Sequence, residues 1–361
     1  MKKMKHGFAL FLVIAMIVTL CSCAGSQKSE PDKATNVSGN AAPASTGNSD
    51  KVYDIVFIPK SVHEFYNIIH SGVDDAIADL KKEGITINLT WSAAAKADSV
   101  KQAELLESAI ALKPDAIAIA VIEGSLCKDL MQQALDQGIS VIAFDTDFDG
   151  SPRQACVGAG MDNQYLCGWN GVDMLVRGMG TDNAKIAVLS GSPAAENHKI
   201  ILKGFTERVE QDFPNLDIVT IQADNDDLEQ ATKIAENIFS QYPDIKGIFG
   251  VTSSNGLGAA KAYEAAIQAG RFQPGDVTII DKTLTEEKKT DVIPRGYEYG
   301  VMDSPPYVMG YYAIQMINAY LTDGTPYQDI YLPYEEVTKD NLDTFTDDYT
   351  AALADFEYWN K

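Results

Sequence analysis

Residues 138–145 read Gly-Ile-Ser-Val-Ile-Ala-Phe-Asp, and this stretch decides the fold class. Gly138 closes a predicted helix, because glycine is the usual residue just past a helix C-terminus. The residues that follow are almost continuously apolar up to Asp145. A strand that is apolar on both faces belongs in a parallel sheet covered by helices on each side. The stretch therefore predicts a buried parallel strand that ends in a carboxylate.

Apolar strands alternate with helical stretches on both sides of this segment. The other predicted strands are Val52–Ile58, Ile85–Trp91 and Ala116–Ile122 before it, and Ile186–Leu189, Ile218–Ile221, Gly247–Val251 and Val277–Ile280 after it. Parallel strands need helical crossovers of this kind. The two series hold too many strands for one compact sheet, so we predict an α/β protein with two doubly wound parallel-sheet lobes.

Polar or aromatic residues follow many of these strands directly. In open α/β sheets, ligands bind outside the carboxyl ends of the strands, so these residues are candidates for a binding cleft. They are Pro59-Lys60, Trp91-Ser92, Asp145-Thr146-Asp147, Ser190–Pro193, Thr252-Ser253 and Asp281-Lys282.

The N-terminus has the composition of an export signal. Lys2, Lys3 and Lys5 precede the apolar run Gly7–Leu20, which is too short to span a bilayer comfortably but suits a signal-peptide core. The sequence Leu-Cys-Ser-Cys-Ala at residues 20–24 resembles a bacterial lipoprotein processing site, with Cys23 as the lipidated residue. We therefore predict a lipoprotein signal peptide at 1–23 and an extracytoplasmic protein that is lipid-anchored to the bacterial cell membrane. An ordinary secretory signal is the alternative.

Composition separates a tether from a folded body. Residues 24–50 are rich in Ser, Ala, Gly, Asn, Thr and Pro, which is typical of a flexible tether. The whole chain of 361 residues is 45% hydrophobic, enough for substantial cores after residue 51. It carries 51 acidic and 29 basic residues, a formal charge of −22. Such a surface repels phosphate backbones and argues against nucleic-acid binding.

Signatures of catalysis and of cofactor binding are absent from the sequence. It has no GxGxxG after the first strand, no Walker phosphate loop and no GxSxG elbow. His63-Glu64 begins a zinc-like motif, but Asn67 stands where the second histidine would be. Asp145 and Asp147 could form an acid/base pair, yet hydrogen bonding to a ligand is the simpler interpretation. We predict a non-enzymatic protein without a metal or cofactor.

Several segments together resemble type I periplasmic sugar-binding proteins. They are Ile58-Pro59-Lys60, Phe65-Tyr66-Asn67 with Gly72, Lys113–Ile117 and Gly138–Asp145. The resemblance implies two lobes joined by a three-stranded hinge, with crossings at Val157–Met161, Val301–Ser304 and Thr322–Pro326. The N-terminal lobe would comprise residues 51–158 and 304–322, and the C-terminal lobe residues 159–303 and 323–361.

Two subgroups of that family imply ligand-binding residues. The ribose-like pattern implies Phe65 and Tyr66 against the sugar ring and Asp145 and Asp281 on its hydroxyls, while Lys199 and Thr252 stand where that pattern has Arg and Asn. The autoinducer-2-binding pattern implies Lys60 and Asp145, with Asn197 and His198 in place of its Asp-Gln pair and a similar Met302-Asp303 segment. Trp91, which ends a strand at the cleft edge, completes the candidate ligand-binding residues.

The resemblance implies a solute-binding lipoprotein that captures a sugar or sugar-like polyol and delivers it to the transmembrane permease subunits of an ABC importer. An autoinducer-2 or rhamnose-type binder is one alternative. A sensory module that presents bound sugar to a membrane receptor kinase is another. In each case we expect a monomer that binds its ligand as the lobes close.

Overall fold

The computed structural model describes residues 51–345. The predicted signal peptide, the lipidated Cys23 and the tether 24–50 lie outside the described residues. Within residues 51–345, none of the helices combines the length and the apolar character that a membrane span requires.

The first lobe is built on a six-stranded sheet in the order β11-β5-β4-β3-β1-β2. Its strands are β1 (Lys51–Ile58), β2 (Ile85–Trp91), β3 (Ala116–Ile119), β4 (Ser140–Asp145), β5 (Ala155–Gly158) and β11 (Ile330–Tyr331). All of its strand pairs are parallel. The strand order reverses between β1 and β3, so loops at their carboxyl ends diverge and leave a crevice.

The second lobe repeats this arrangement in the order β12-β10-β9-β8-β6-β7. Its strands are β6 (Ala184–Leu189), β7 (Leu216–Gln222), β8 (Gly247–Gly250), β9 (Thr278–Lys282), β10 (Gly300–Asp303) and β12 (Glu335–Thr338). Only the edge pair β10–β12 is antiparallel among the described strands. Two doubly wound, mainly parallel sheets confirm the predicted fold class.

Helices cover both faces of each sheet. The first lobe carries α1 (Glu64–Lys82), α2 (Ser99–Leu112), α3 (Gly124–Asp136) and α8 (Pro306–Asp323), and the second carries α4 (Gly160–Met179), α5 (Glu196–Asp212), α6 (Leu228–Gln241) and α7 (Ser253–Gln268). A π-helix follows β9 at Lys288–Val292. Alternate residues of β1 supply two cores: Phe57 packs in the α1–α8 core and Val56 in the α2–α3 core. Burial on both faces explains the continuous apolar runs of the strands.

Helix α8 returns the chain to the first lobe and packs closely on α1. A Cβ added at Gly72 would lie 2.0 Å from the carbonyl oxygen of Tyr307, and one at Gly310 would lie 2.0 Å from the carbonyl oxygen of Ile69. Neither backbone can move away cheaply, so the contact requires glycine at both positions. This packing makes residues 306–323 part of the first lobe.

The chain crosses between the lobes three times within residues 51–345. It crosses after β5 near Ala159, after β10 at residues 304–305, and between β11 and β12 at residues 332–334. The third crossing was predicted at Thr322–Pro326, with residue 323 onward in the C-terminal lobe. That boundary is wrong, because Ile330 and Tyr331 pair with Val157 and Gly158 of the first sheet. A two-residue strand leaves too weak a sequence pattern to predict.

Candidate ligand-binding site between the lobes

A small cavity of about 40 Å³ lies between the carboxyl ends of the two sheets. We call it the inner cavity. It is lined by Lys60, Ser61, His63, Phe65, Tyr66 and Asp145 from the first lobe and by Asn197, His198, Asp226, Thr252, Ser253, Lys282 and Thr283 from the second. Both lobes thus contribute charged and hydroxyl groups to one cavity, and the first lobe adds the aromatic rings of Phe65 and Tyr66.

Asp145 is the centre of the first lobe's contribution. Its Oδ2 accepts hydrogen bonds of 2.9 Å from the Tyr66 hydroxyl and the Thr146 hydroxyl, and lies 3.5 Å from the Lys60 ammonium. Burial alone would raise the pKa of Asp145, but Lys60, Lys282 and these hydrogen bonds hold it below its usual value. The cavity therefore holds a carboxylate that stays ionised.

Backbone strain marks three residues that line the inner cavity. Asp145 has φ 58°, Asp226 has φ 61° and Thr283 has φ 78°. Non-glycine residues seldom adopt positive φ, and a β-branched residue such as threonine does so at a particular cost. Strained residues of this kind cluster at ligand-binding sites, where the surrounding structure holds them in place.

The second lobe offers both an acceptor and a donor to the cavity. The Oδ1 atom of Asp226 is buried and makes no hydrogen bond to any residue in 51–345. Burial raises the pKa of Asp226 to about 6. Lys282 is 6% exposed, and its ammonium lies 5.5 Å from the ring centroids of both Phe65 and Tyr334. The cation–π contact with Phe65 joins the two lobes.

Two histidines line the inner cavity as neutral groups. Burial lowers the pKa of His198 well below its usual value, and the nearby Lys60 and Lys282 lower it further. Its Nδ1 accepts a hydrogen bond of 3.0 Å from the Ser192 backbone amide. Burial, followed by the charge of Lys288, lowers the pKa of His63 to about 4.

Direct contacts hold the lobes together around the cavity. Lys60 donates a hydrogen bond of 2.8 Å to Oδ1 of Asn197 across the interlobe boundary. At the rim, the Lys96 ammonium lies 2.5 Å from Asp227 Oδ2. These contacts join the first lobe to the second lobe beside the inner cavity.

Seven of the predicted ligand-binding residues meet at the inner cavity: Lys60, Phe65, Tyr66, Asp145, Asn197, His198 and Thr252. Two others lie away from it. Trp91 stacks between Phe57 and His70, with ring centroids at 5.7 and 4.1 Å. Lys199 is half exposed, and its ammonium lies 2.8 Å from Glu196. Trp91 is therefore a packing residue, and Lys199 points away from the inner cavity.

Asp281 and Asp303 were also predicted to contact ligand, but the structure buries both behind the cavity wall. Asp281 accepts hydrogen bonds from Lys288 at 2.5 Å and from the Gly256 backbone amide at 3.0 Å. Asp303 accepts from the Leu284 amide at 2.8 Å, and burial raises its pKa to about 7. These carboxyl groups stabilise the loop after β9 and the start of α7.

The predicted ligand-binding residue on β9 was Asp281, whereas the residue that lines the cavity is its neighbour Lys282. Adjacent residues of a strand point to opposite sides of the sheet, so only one of Asp281 and Lys282 can face the ligand. The structure turns Lys282 into the cavity. Asp226 was missed altogether, although its position just after β7 was a usable signal. Ser61, His63 and Thr283 also line the cavity and were absent from the predicted site, while Ser253 was predicted only as a residue that follows a strand.

Metal chemistry has no support in the part of the chain that the structure describes, because no group of three or more His, Cys, Asp or Glu side chains there could hold an ion. Cys127, Cys156 and Cys167 are buried free thiols. Burial raises the pKa of Cys127 to about 11 and that of Cys167 to about 12, so both are unreactive thiols at neutral pH.

Two mainly parallel-sheet lobes meet at one polar cavity, the kind of place where small-molecule ligands bind. The chain belongs to the periplasmic binding protein family, because the family model described as periplasmic binding protein domain matches residues 55–326. This match confirms the predicted family.

Curated relatives and solved structures agree with that assignment. The chain is 27% identical over 180 residues to the D-ribose/D-allose-binding protein of Pseudomonas aeruginosa, covering 49% of this chain and 55% of that protein, about half its length. It is 24% identical over 270 residues to the ribose import binding protein of Bacillus subtilis, covering 73% and 78%. An ABC transporter solute-binding protein from Burkholderia graminis, solved with D-arabinose, shares the fold with a TM-score of 0.73 at 23% identity, covering 81% and 97%.

Proposed function

We propose that this protein captures a sugar or sugar-like polyol between its lobes, at the residues that line the inner cavity, and delivers it to the permease subunits of an ABC importer. The proposal rests on one observation: the cavity pairs ammonium donors with carboxylate acceptors contributed by both lobes. Lys60 and Asp145 form one such set, and Lys282 and Asp226 supply the other donor and acceptor.

This chemistry suits vicinal hydroxyl groups. Each hydroxyl can donate to a carboxylate and accept from an ammonium at the same time, and hydrogen bonds to charged partners are the stronger kind. The apolar C–H face of a sugar ring can pack against Phe65, which forms an edge-to-face pair with Tyr66 at 5.1 Å between centroids. The residues of the cavity therefore suit both the hydroxyl groups and the apolar C–H face of a carbohydrate.

Closure explains how binding becomes a signal for transport. A ligand that contacts both lobes stabilises the closed arrangement over the open one, and a membrane partner can distinguish the two. We propose permease subunits as that partner, because relatives carry names such as ribose import binding protein. We further propose an extracytoplasmic location with lipid attachment at Cys23, which the N-terminal sequence pattern supports.

A thermal-shift screen with pentoses, hexoses, sugar alcohols and autoinducer-2 tests the proposal. A ligand at 100 times its Kd adds about 2.7 kcal/mol to the free energy of unfolding, so a true ligand gives a clear shift. The same screen on Asp145→Ala protein is the control and should show a much smaller shift. If no sugar or polyol stabilises the wild-type protein, the proposed function is wrong.

A further inference from the structure

A second cavity of about 280 Å³ adjoins the inner cavity, and Asp145 and Asn197 line both. We call it the outer cavity. Its walls come from the loop between β4 and β5, the first turns of α4 and α5, and Tyr331 of β11. Tyr331 is 50% exposed and stands at the outer edge. The ligand-binding crevice is therefore larger than the inner cavity alone.

The outer cavity holds buried polar groups whose hydrogen-bonding capacity is unused. Gln164 is 3% exposed, and its Oε1 accepts a hydrogen bond of 2.8 Å from the Tyr334 hydroxyl. Asp147 accepts from Arg153 Nε at 2.7 Å through Oδ2, but its Oδ1 is buried and unpartnered within the same residues. Buried polar atoms normally have partners, so the Oδ1 acceptor of Asp147 awaits a ligand.

Aromatic side chains complete the outer cavity. Phe148 and Tyr331 line it beside these polar groups. Aromatic rings next to an amide and a carboxylate form the same combination that suits the inner cavity to a sugar ring. The two cavities thus offer similar chemistry on either side of Asp145 and Asn197.

We propose that the outer cavity is a second carbohydrate subsite and that the ligand is an uncharged disaccharide or glycoside. This inference rests on the proposed function. One sugar unit packs on Tyr331 and bonds to Gln164 and Asp147 in the outer cavity, and the other unit reaches the residues of the inner cavity, which must widen beyond its volume of about 40 Å³ to admit it. Asp145 and Asn197 line both cavities, and both contact the Lys60 ammonium, Asn197 through a hydrogen bond and Asp145 through an ion pair. When the disaccharide binds, oxygen atoms of the ligand near the linkage between its two sugar units replace Asn197 as acceptors for the Lys60 ammonium.

Isothermal titration calorimetry with matched sugar pairs tests this subsite: D-xylose with xylobiose, D-glucose with cellobiose, and D-galactose with melibiose. We expect at least one disaccharide to bind tenfold or more tightly than its monosaccharide. Tyr331→Ala should weaken that disaccharide tenfold or more and change monosaccharide affinity less than twofold. Tyr299→Ala, at a 38% exposed tyrosine outside both cavities, is the matched control and should leave both affinities unchanged.

The outcomes separate this inference from the proposed function. Monosaccharides that bind as tightly as their disaccharides, or a Tyr331→Ala protein that weakens both members of a pair equally, would overturn the second subsite and leave the sugar-binding function intact. Asp147→Asn provides an independent check, because it should also weaken only the disaccharide. Failure of every sugar to bind would overturn the proposed function and this inference with it.

Discussion

The Nζ atom of Lys60 lies 2.8 Å from Oδ1 of Asn197, so a single hydrogen bond joins the two lobes inside the binding cavity. The same ammonium lies 3.5 Å from the carboxylate of Asp145. Burial lowers the pKa of Lys60, and Asp145 opposes that shift. The Lys60 ammonium therefore takes part both in the contact between the lobes and in the charged lining of the cavity.

Asp145→Ala should weaken ligand binding by about 30-fold or more. Loss of one partner from a buried charge-assisted contact costs about 2–5 kcal/mol, much of it because the other partner is left unpaired, and 1.4 kcal/mol corresponds to tenfold. Here Lys60 and the Tyr66 hydroxyl lose their acceptor. Calorimetry with the sugar found in the thermal-shift screen measures the change.

Small-angle scattering tests the same substitution for its effect on closure. The wild-type protein should become more compact with ligand, and Asp145→Ala should not at the same ligand concentration. Asp136→Ala, at an exposed aspartate of α3, is the control and should behave as wild type. Near-normal affinity in a folded Asp145→Ala protein would place the binding site elsewhere.

Ligand affinity should fall as the pH drops below about 6. Burial raises the pKa of Asp226 to about 6, and a ligand hydroxyl that donates to its carboxylate favours the ionised form. Binding below that pH must release a proton, so affinity decreases by up to about tenfold per pH unit. Burial lowers the pKa of His63 to about 4 and also lowers the pKa of His198, so both shifts favour the neutral imidazoles.

Titration calorimetry at pH 5, 6 and 7 checks this dependence. Asp226→Asn should flatten the profile. Asp303→Asn is the matched control, because burial raises the pKa of Asp303 to about 7 at a position outside the cavity, and it should leave the profile unchanged. Burial, together with the charge of Asp226, raises the pKa of Asp224 to about 7. Asp224→Asn should therefore be measured as well, to separate the contribution of Asp224 to the pH profile from that of Asp226. A flat wild-type profile would contradict a direct role for Asp226.

Lys288→Met should destabilise the protein by about 3–5 kcal/mol at pH 8, because the loss of one partner leaves buried charge uncompensated. Lys288 is fully buried between Asp281, at 2.5 Å, and Glu298, at 3.6 Å. Burial raises the pKa of both carboxyl groups, and the charge of Glu298 raises that of Asp281 further. Urea unfolding of the variant and the wild-type protein measures the loss.

The destabilisation by Lys288→Met should shrink at pH 5. A carboxyl group with a raised pKa in the folded state favours folding below its unfolded pKa and loses that contribution as the pH rises through its folded pKa. Protonation of Asp281 and Glu298 at low pH therefore removes the uncompensated buried charge and reduces the loss of stability in the variant. Lys246→Met, at an exposed lysine, should cost little at either pH. Equal losses at pH 5 and pH 8 would show that the ion cluster does not cause the effect.

Cys23→Ser should prevent attachment to the membrane by a processed lipid anchor. The prediction follows from the Leu-Cys-Ser-Cys-Ala pattern at residues 20–24, in which the cysteine thiol is the group that carries the lipid. Cell fractionation with immunoblotting should find the variant as unprocessed precursor or as released protein, while Cys21→Ser should still be processed and membrane-bound. A Cys23→Ser protein that remains processed and membrane-bound would refute the lipoprotein assignment.

Much of the fold and the first-lobe half of the site followed from local patterns. Buried strands such as Ser140–Asp145 are apolar on both faces, and that pattern is visible without knowledge of any neighbour. Lys60 comes two residues after β1 and Asp145 is the last residue of β4, and the carboxyl ends of parallel strands share one edge of a sheet. The sequence by itself therefore determined the two-lobed α/β architecture and these two cavity residues.

The tertiary structure alone decided which side chains of the second lobe face the cavity. Asp281 and Lys282 are neighbours on β9, and their orientations depend on how α7 and the π-helix pack against that strand. Ile330 and Tyr331 join the first sheet through pairing with residues more than 170 positions away. Side-chain direction at a strand end and long-range strand pairing are set by contacts between distant segments, which a local pattern of residue types does not contain.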